Sequence, residues 1–348
     1  MPNNPRSHLA GDVLAAVSQS GPTVSFFDAA TDDLLDSIEV TAQPHELCFD
    51  PTQRLLWCSS AYHSGYYNAH SGHCTKLTVI DADTRRIVEV IDLAPEHGPH
   101  GLALDPARRR LYVSVEASAD RPGGVVVIDT ETRRPIGRID TDAPGPHWFE
   151  ISPDGRTGFA TNKEAPFVSI VDLDRGVLTA KVEVPGSEGL AVSPDGTRAY
   201  VAAPYLGFAA KPDSTPGIRV IDARSASVTA TLPTEHPVLP VHLTSTGKLL
   251  AGETRAIPDP DSPLGRQAPG LLTVFSADTH RHLGSVDIGL FPLTITSSPD
   301  GRLAYVSSVV SSTVDIIDLD TLTAVSRLTL PKLAEPGAHG LAYLPRRS

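Results

Sequence analysis

The apolar residues of this chain alternate with polar residues or occur in blocks of four to seven, and glycine, proline, aspartate and serine separate the blocks. Val, Ile, Leu and Tyr dominate the blocks, which is typical of β-strands rather than helices. One stretch shows four such segments in succession, here called A to D: His100 to Asp105, Arg110 to Glu116, Gly124 to Asp129 and Ile136 to Asp140. The pattern therefore predicts an all-β protein with four antiparallel strands per unit.

A recurring motif indicates that the four-strand unit occurs seven times. The motif has the form apolar-x-Ser/Asp-Pro-x-x, is degenerate in two copies, and follows a run that ends near Val-Ile-Asp. Three copies keep the complete turn Ser-Pro-Asp-Gly, beginning at Ser152, Ser193 and Ser298. The aspartates that end the third strand are predicted to cap turns through local backbone hydrogen bonds. Internal repeats of this size suit one blade of a β-propeller each.

One position per repeat, eight residues before the turn glycine or its equivalent, is called the marker position. It holds His45, His100, His147, Glu188, Leu239, Leu293 and His339. Neighbouring markers lie between 41 residues (His147 to Glu188) and 55 residues (His45 to His100) apart. Five of the seven markers are therefore potential metal ligands or proton carriers.

The two ends of the chain share one blade in this scheme. The N-terminal segment supplies three strands, Val13 to Gln19, Thr23 to Asp28 and Leu34 to Val40, and the C-terminal segment supplies one, Ala338 to Leu344. Joining them removes exposed strand edges and closes the ring. We therefore expect residues 1–348 to form a single seven-bladed β-propeller domain.

The repeats resemble those of the YVTN-type seven-bladed β-propeller family. The resemblance rests on Tyr112-Val113-Ser114, Tyr200-Val201-Ala202 and Tyr305-Val306-Ser307, and on Phe159-Ala160-Thr161-Asn162, together with the Ser-Pro-Asp-Gly turns. It covers essentially the whole chain and implies the fold. It does not imply a function, because such propellers include enzymes, surface-layer proteins and binding scaffolds.

Charge and composition exclude several classes of protein. With 41 acidic against 29 basic residues, the surface is expected to repel nucleic acid and acidic lipid. No leader segment and no apolar stretch long enough to cross a membrane is evident, and Cys48, Cys58 and Cys74 form no paired set. These features predict a cytoplasmic protein with neither a nucleic-acid nor a membrane partner.

The marker side chains are expected to meet. In a propeller the D-to-A and B-to-C connections open on one face around the central channel, and strand A is innermost. The predicted metal ligands are His45, His100, His147, His339 and Glu188, with Leu239 and Leu293 as an apolar wall. Such a set suits a borderline divalent cation, with zinc or iron favoured. A metal-free His/Glu pocket and simple packing of histidines in the channel are the alternatives.

Long B-to-C loops are predicted around the same channel mouth, which indicates a pocket for a small-molecule substrate. Glu188 and His147 are the candidate catalytic acid or base. Candidate substrate-binding residues, which lie at the ends of B strands, beside a marker or in a loop, are Tyr62, His63, Glu116, Trp148, Asn162, Tyr205, Glu253 and Arg255. The segment His70-Ser71-Gly72-His73-Cys74 is interpreted as a solvated loop, and His242 as a core or channel histidine.

Serine-hydrolase elbows, nucleotide-binding glycine loops and the His-Glu-x-x-His helix are absent from the sequence. The favoured hypothesis is a metal-dependent enzyme whose proton chemistry eliminates, isomerises, cyclises or opens a lactone in a small organic molecule. A mononuclear iron or copper oxidase or oxygenase and a non-catalytic propeller that binds a ligand or peptide are the alternatives.

Overall fold

The computed structural model describes residues 6–66, 69–203, 215–259, 262–333 and 337–347. Seven four-stranded antiparallel sheets follow one another along the chain, so the predicted all-β propeller is confirmed. The described helix is a short 3-10 turn, Ser7–Leu9. Within these ranges no helix has the length and apolarity needed to cross a membrane.

The strands are grouped here by blade. The N-terminal strands are β1 (Val13–Ser18), β2 (Thr23–Asp28) and β3 (Leu34–Glu39). Blade 1 contains β4 (Pro44–Asp50), β5 (Leu55–Tyr62), β8 (His73–Asp81) and β9 (Arg86–Asp92), with a small hairpin of β6 (Gly65–Tyr66) and β7 (Ala69–His70). Blade 2 contains β10 (Leu102–Asp105), β11 (Arg110–Val115), β12 (Gly124–Asp129) and β13 (Arg134–Asp140). Blade 3 contains β14 (Pro146–Ile151), β15 (Thr157–Asn162), β16 (Phe167–Asp172) and β17 (Val177–Glu183).

The remaining blades follow the same order. Blade 4 contains β18 (Leu190–Val192), β19 (Arg198–Ala203), β20 (Gly217–Asp222) and β21 (Ser227–Pro233). Blade 5 contains β22 (Val238–Leu243), β23 (Lys248–Asp259), β24 (Ser262–Ser276) and β25 (His282–Leu290). Blade 6 contains β26 (Pro292–Ser297), β27 (Leu303–Ser308), β28 (Thr313–Asp318) and β29 (Thr323–Thr329). The last strand is β30 (Ala338–Leu344).

Blade 7 is built from both ends of the chain, as the sequence predicts. Its strand order is β3-β2-β1-β30, and β30 pairs antiparallel with β1. The register pairs Val13 with Leu344 and Ala16 with Leu341. The innermost strand of this blade therefore arrives last in the sequence and closes the ring.

The core lies between the blades. Among the described residues, one apolar cluster spans each of the seven blade-to-blade interfaces. Inner strands such as β5 are consequently buried along their whole length, whereas outer strands such as β13 are mostly exposed. Burial on both faces of a sheet explains why the inner strands have continuous apolar runs.

The turns away from the channel mouth are held by the residues that define the repeat. In the first Ser-Pro-Asp-Gly turn, Ser152 Oγ donates to Asp154 Oδ1 at 2.6 Å, and Thr157 N donates to Ser152 Oγ at 3.0 Å. At the end of β16, the backbone amide of Arg175 donates to Asp172 Oδ1 at 2.8 Å. These aspartates have the turn-capping contacts that the sequence predicts.

Strand A begins later than predicted in two blades. β10 starts at Leu102 and β18 at Leu190, so His100 and Glu188 lie just before their strands. The reason is that the backbone amide of the residue after each marker bonds to the next blade, while its carbonyl still accepts from strand B of its own blade. Gly101 N donates to His147 O at 3.0 Å, and Gly189 N donates to Leu239 O at 2.8 Å.

Candidate metal centre

A β-bulge aims the marker side chains into the channel. In blade 1, Pro44 pairs with Ser60 but Leu47 pairs with Cys58, so β4 has one extra residue where His45 lies. Register shifts also occur at the marker in blades 3, 5, 6 and 7. A bulge redirects a side chain and is common beside active sites, so the repeat itself places the markers at the mouth.

Hydrogen bonds between blades fix the backbone that carries the histidines. Ser114 Oγ accepts from Gly101 N and donates to His147 O, both at 2.8 Å. Ser59 Oγ likewise accepts from Glu46 N at 3.1 Å and donates to His100 O at 2.8 Å. Each serine therefore positions the marker of the following blade.

Glycine at position 101 is required by this contact. A Cβ atom there would lie 2.7 Å from His147 O and 2.8 Å from Phe149 N, which are backbone atoms. We expect Gly101→Ala to lower the free energy of unfolding by about 1 to 3 kcal/mol, since overpacking must displace one blade. Denaturant unfolding tests this, with Gly137→Ala as the matched control in the same blade, because the contact nearest to its Cβ is 4.0 Å away. Equal effects of the two substitutions would contradict the steric argument.

Four imidazoles converge at the mouth and are called the His cluster: His45, His100, His147 and His339. All four are buried. The ring centroid of His45 lies 4.1 Å from that of His339, 4.7 Å from that of His100 and 5.7 Å from that of His147. One ligand atom from each of His45, His100 and His147 lies within 4.8 Å of the others.

Two buried carboxylates flank the His cluster. Glu46 Oε1 lies 3.0 Å from His339 Nδ1 and 3.5 Å from His45 Nδ1. Glu188 Oε2 lies 2.9 Å from His147 Nδ1. His45, Glu46 and His339 form a second set of ligand atoms within 4.8 Å of one another. The donor set thus consists of four imidazoles and two carboxylates. Glu188 contacts His147, and Glu46 contacts His339 and His45.

The hydrogen bond of His100 fixes its tautomer. Its Nδ1 lies 2.7 Å from the carbonyl oxygen of Gly98, which can only accept, so Nδ1 donates. The other nitrogen, Nε2, then carries the lone pair, and Tyr62 Oη is 3.1 Å from it. A backbone carbonyl on the far nitrogen is the usual outer partner of a metal-binding histidine.

Burial keeps the imidazoles of His45 and His100 neutral. It lowers the pKa of His45 well below its ordinary value, and the neighbouring rings of His339 and His100 lower it further. Burial also lowers the pKa of His100, with His147 and Lys163 adding to the effect. A neutral imidazole is the form that binds a metal ion.

The buried polar atoms of this region fit a cation. His45 Nδ1, Glu46 Oε1, Glu188 Oε1 and His339 Nδ1 are buried, and although Glu46 Oε1 lies 3.0 Å from His339 Nδ1, none of the four makes a hydrogen bond of good geometry to a described residue. Buried charges are costly unless they are paired or coordinate metals, and imidazole with carboxylate suits zinc or iron. These residues could therefore hold a divalent metal ion.

A cavity of about 290 Å³ opens beside the His cluster. It is lined by Tyr62, His70, His73, His100, Glu116, Ala117, Pro144, Gly145, Pro146, His147, Lys163 and Glu164. Tyr62 Oη donates to Glu116 Oε1 at 2.8 Å, and Glu116 Oε2 lies 2.7 Å from His73 Nε2. Burial lowers the pKa of the Lys163 ammonium. The structure thus brings Tyr62 and Glu116, two of the candidate substrate-binding residues, to the cavity beside His100 and His147.

The other candidate substrate-binding residues that the structure describes do not line this cavity. His63 is exposed, and Arg255 forms an ion pair with Asp287 at 3.2 Å. Asn162 Nδ2 donates to Phe167 O at 2.9 Å, which is a contact within its own blade.

Glu253 has a similar structural role in blade 5, where it accepts hydrogen bonds from His236 N and Thr273 Oγ1. Tyr205 lies outside the described residues. A part in substrate binding stays a prediction for these residues, although the described contacts of Asn162 and Glu253 are structural.

Trp148 belongs to a second cavity of about 200 Å³, which it lines with Glu150 and His242. His242 Nε2 lies 2.9 Å from Ser297 Oγ, and burial lowers its pKa to about 4. Burial alone raises the pKa of Glu150 from 4.5 to about 8. Both groups are therefore neutral at pH 7, which agrees with the interpretation of His242 as a core or channel histidine.

The raised pKa of Glu150 predicts a pH-dependent stability. Between pH 4.5 and pH 8 the folded state keeps a proton that the unfolded state releases, so this group destabilises the fold as pH rises. We expect the free energy of unfolding of Glu150→Gln, relative to that of wild type, to increase by about 2 to 4 kcal/mol as the pH rises from 5 to 8. Denaturant unfolding at several pH values tests this, with Glu183→Gln on the exposed edge of the same blade as control. A gain that does not change with pH would contradict the prediction.

Two residues of the mouth were not predicted as ligands from the sequence. Glu46 follows the His45 marker directly, and only the bulge shows that both side chains enter the channel. His97 lies three residues before His100, and its ring centroid is 4.5 Å from that of His73. His73 itself is half-buried beside Glu116, so its segment is not simply a solvated loop. No repeat-based signal marks His97.

Comparisons with known proteins agree with the fold. The chain is 26% identical over 231 residues to proteins named YncE, described as uncharacterized, from Salmonella typhi and Salmonella typhimurium. The match covers 65% of this chain and 61% of those relatives, which is less than two thirds of their length. Among solved structures, hydrazine synthase of Kuenenia stuttgartiensis superimposes with a TM-score of 0.63 and 17% identity, over 87% of this chain and 86% of that one. No family model matches the chain, so membership of the YVTN-type repeat family stays a prediction.

Proposed function

We propose that this protein is a metal-dependent enzyme that acts on a small organic molecule at the channel mouth by proton transfer. The observation that carries the proposal is the convergence of His45, His100 and His147, buried, within 4.8 Å of one another and beside a cavity. Packing alone would leave buried nitrogen and oxygen atoms without hydrogen bonds, which proteins generally avoid. Zinc or iron fits the donor set.

The metal ion, when bound, would supply a Lewis acid that polarises an oxygen of the substrate. The proton would be moved by the chain's own residues. His45, Glu46 and His339 form a set of ligand atoms without His147, which leaves His147 to act as the base. His147 lines the cavity, and Glu188 Oε2 lies 2.9 Å from its Nδ1, which is the pairing that orients an imidazole as a general base. Glu188 thereby fixes which nitrogen of His147 carries the proton, and lyase, isomerase, cyclase and lactonase reactions all need such a group.

The remaining cavity residues would bind and orient the substrate. Tyr62 and Glu116 hold each other by a hydrogen bond, so the position of the phenol is fixed before a substrate enters. Lys163 also lines the cavity and would favour a negatively charged substrate group. The net charge of −12 supports an expectation of no nucleic-acid partner, and we propose a cytoplasmic location.

Elemental analysis after anaerobic purification tests the metal and its kind. Stoichiometric zinc supports proton chemistry, whereas tightly held iron or copper supports the alternative of an oxidase or oxygenase, which four imidazoles also suit. Protein that holds no metal and binds none when titrated with zinc, iron(II) or copper(II) contradicts both. Retention of ligand binding after all four cluster histidines are changed to alanine would support the non-catalytic alternative.

Glu188→Gln separates orientation from metal binding. Glutamine keeps the size of the side chain but lacks the charge that stabilises a protonated His147. We expect unchanged metal content, turnover lowered by about 10²-fold to 10⁴-fold, and a changed pH profile. Loss of metal in this variant would instead assign Glu188 as a ligand.

A further inference from the structure

A second group of ligand atoms lies beside the His cluster, on the loop side of the cavity. His73, His97 and Glu116 each place one ligand atom within 4.8 Å of the other two, and all three are half-buried. His73 Nε2 is 2.7 Å from Glu116 Oε2. The rings of His73 and His97 lie 4.5 Å apart between centroids, with 30° between their planes.

The backbone holds this group in place from two blades. Glu116 N donates to His97 O at 3.0 Å, and Gly98 N donates to Cys74 O at 2.8 Å. Gly98 has a φ of +60°, and a Cβ there would lie 2.9 Å from Glu116 Cγ and Cδ. The connection before blade 2 thus packs closely against the Glu116 side chain. It also joins this side chain to the start of β8, through the hydrogen bond from Gly98 to Cys74.

The carboxylate of Glu116 faces two directions. Its Oε1 accepts from Tyr62 at 2.8 Å and lies 3.6 Å from His100 Nε2, a member of the His cluster. Its Oε2 faces His73. His97 Nδ1 is buried and makes no hydrogen bond to the described part of the chain. One carboxylate therefore lies between two groups of imidazoles, and the second group has an unsatisfied buried nitrogen.

We propose that His73, His97 and Glu116 bind a second divalent cation, and that Glu116 links it to the cation of the His cluster. Two imidazoles and one carboxylate with an open side toward a cavity are the donor set of zinc sites that act on substrates. Two neighbouring cations can stabilise both the attacking oxygen and the leaving oxygen of a displacement reaction. The catalytic use of this second cation depends on the proposed function, whereas its binding does not.

The test is a titration of chelator-treated full-length protein with zinc, followed by isothermal calorimetry and by elemental analysis after desalting. We expect two zinc ions per wild-type chain. His97→Ala and His73→Ala should each bind one, because each damages the second site, and His45→Ala should also bind one, because His45 belongs to both sets of ligand atoms in the His cluster. His282→Ala is the matched control, since His282 is an exposed histidine on the outer strand β25, where its Nε2 lies 3.1 Å from Ser285 Oγ. It should bind two.

The variants also separate this proposal from the proposed function. One ion in wild type that is lost in His45→Ala and kept in His97→Ala overturns the second site and leaves the first. One ion that is lost in His97→Ala and kept in His45→Ala supports the second site and removes the metal from the His cluster. Two ions retained in both His73→Ala and His97→Ala overturn the assignment. Thermal melting of each chelator-treated variant identifies misfolding, and because His73 is half-buried at the first position of β8, its variant is expected to melt like wild type.

Discussion

His100→Ala is expected to lower the affinity for a divalent cation by about 100-fold or more and to remove the metal from the purified protein. Four-ligand structural zinc sites have binding free energies of about 10 to 16 kcal/mol, so one ligand accounts for about 3 kcal/mol, or about 10²-fold. His100 is the member of the His cluster whose tautomer is fixed by Gly98 O, which leaves Nε2 free to bind. Its loss also removes the contact with Tyr62 Oη.

The measurement is metal content together with a competition titration against a chelator of known affinity. His282→Ala controls for the removal of any histidine, and His100→Gln retains a hydrogen-bonding side chain without an imidazole. Catalytic turnover, once a substrate is found, should fall with metal occupancy in the same variants. Unchanged zinc or iron content in His100→Ala would exclude His100 as a ligand and favour the alternative that the histidine packs the channel.

Deletion of residues 338–348 is expected to abolish the folded monomer. The deletion removes β30, which pairs with β1 along Val13 to Ser18 and buries Leu341 and Leu344. It leaves β1 as an unpaired edge facing the channel and opens the contact with blade 1. Since domains are stable by only about 5 to 15 kcal/mol, the loss of a whole inner strand is comparable to the total.

Size-exclusion chromatography and far-ultraviolet circular dichroism check this expectation, in the presence of a chelator so that the loss of His339 plays no part. Deletion of Arg347 and Ser348 alone is the control, because Arg347 forms an ion pair with Asp83 at the surface and β30 stays intact. Surface ion pairs contribute about 0 to 1 kcal/mol, so this protein should melt within a few degrees of wild type. If the protein that lacks residues 338–348 is monomeric and melts like wild type, closure by β30 is refuted.

The fold could be predicted almost completely from the sequence because its signals are local. Alternation of apolar residues indicates strands, and the Ser-Pro-Asp-Gly turns with their aspartate caps mark where strands end, as at Ser152 and Asp154. The strands at both chain ends, such as Ala338–Leu344, were found by counting. The differences include strand boundaries such as the start of β10 at Leu102, where the Gly101 contact with blade 3 delays the ladder.

The site was predicted less completely. The marker positions identified the His cluster, since one position in a repeat falls at one place in every blade. Glu46 was not identified as a cluster member, because a bulge changes which residues face the channel. His97 and the position of Glu116 Oε2 against His73 depend on loops from two blades, which share no sequence signal. Asn162 ends a B strand as Glu116 does, yet its amide bonds within the blade.

Sequence alone determined seven blades, their closure by the two chain ends and the placement of four histidines and Glu188 at or just before the start of innermost strands, because repeat period and strand alternation are properties of short segments. The tertiary structure decided which of these groups meet. Distances such as 2.9 Å from His147 to Glu188, and the sharing of Glu116 between two groups of imidazoles, arise only when neighbouring blades pack around the ring. The physical reason is that bulges, close glycine contacts and burial set where a side chain points and whether it is charged, and each depends on residues far away in the chain.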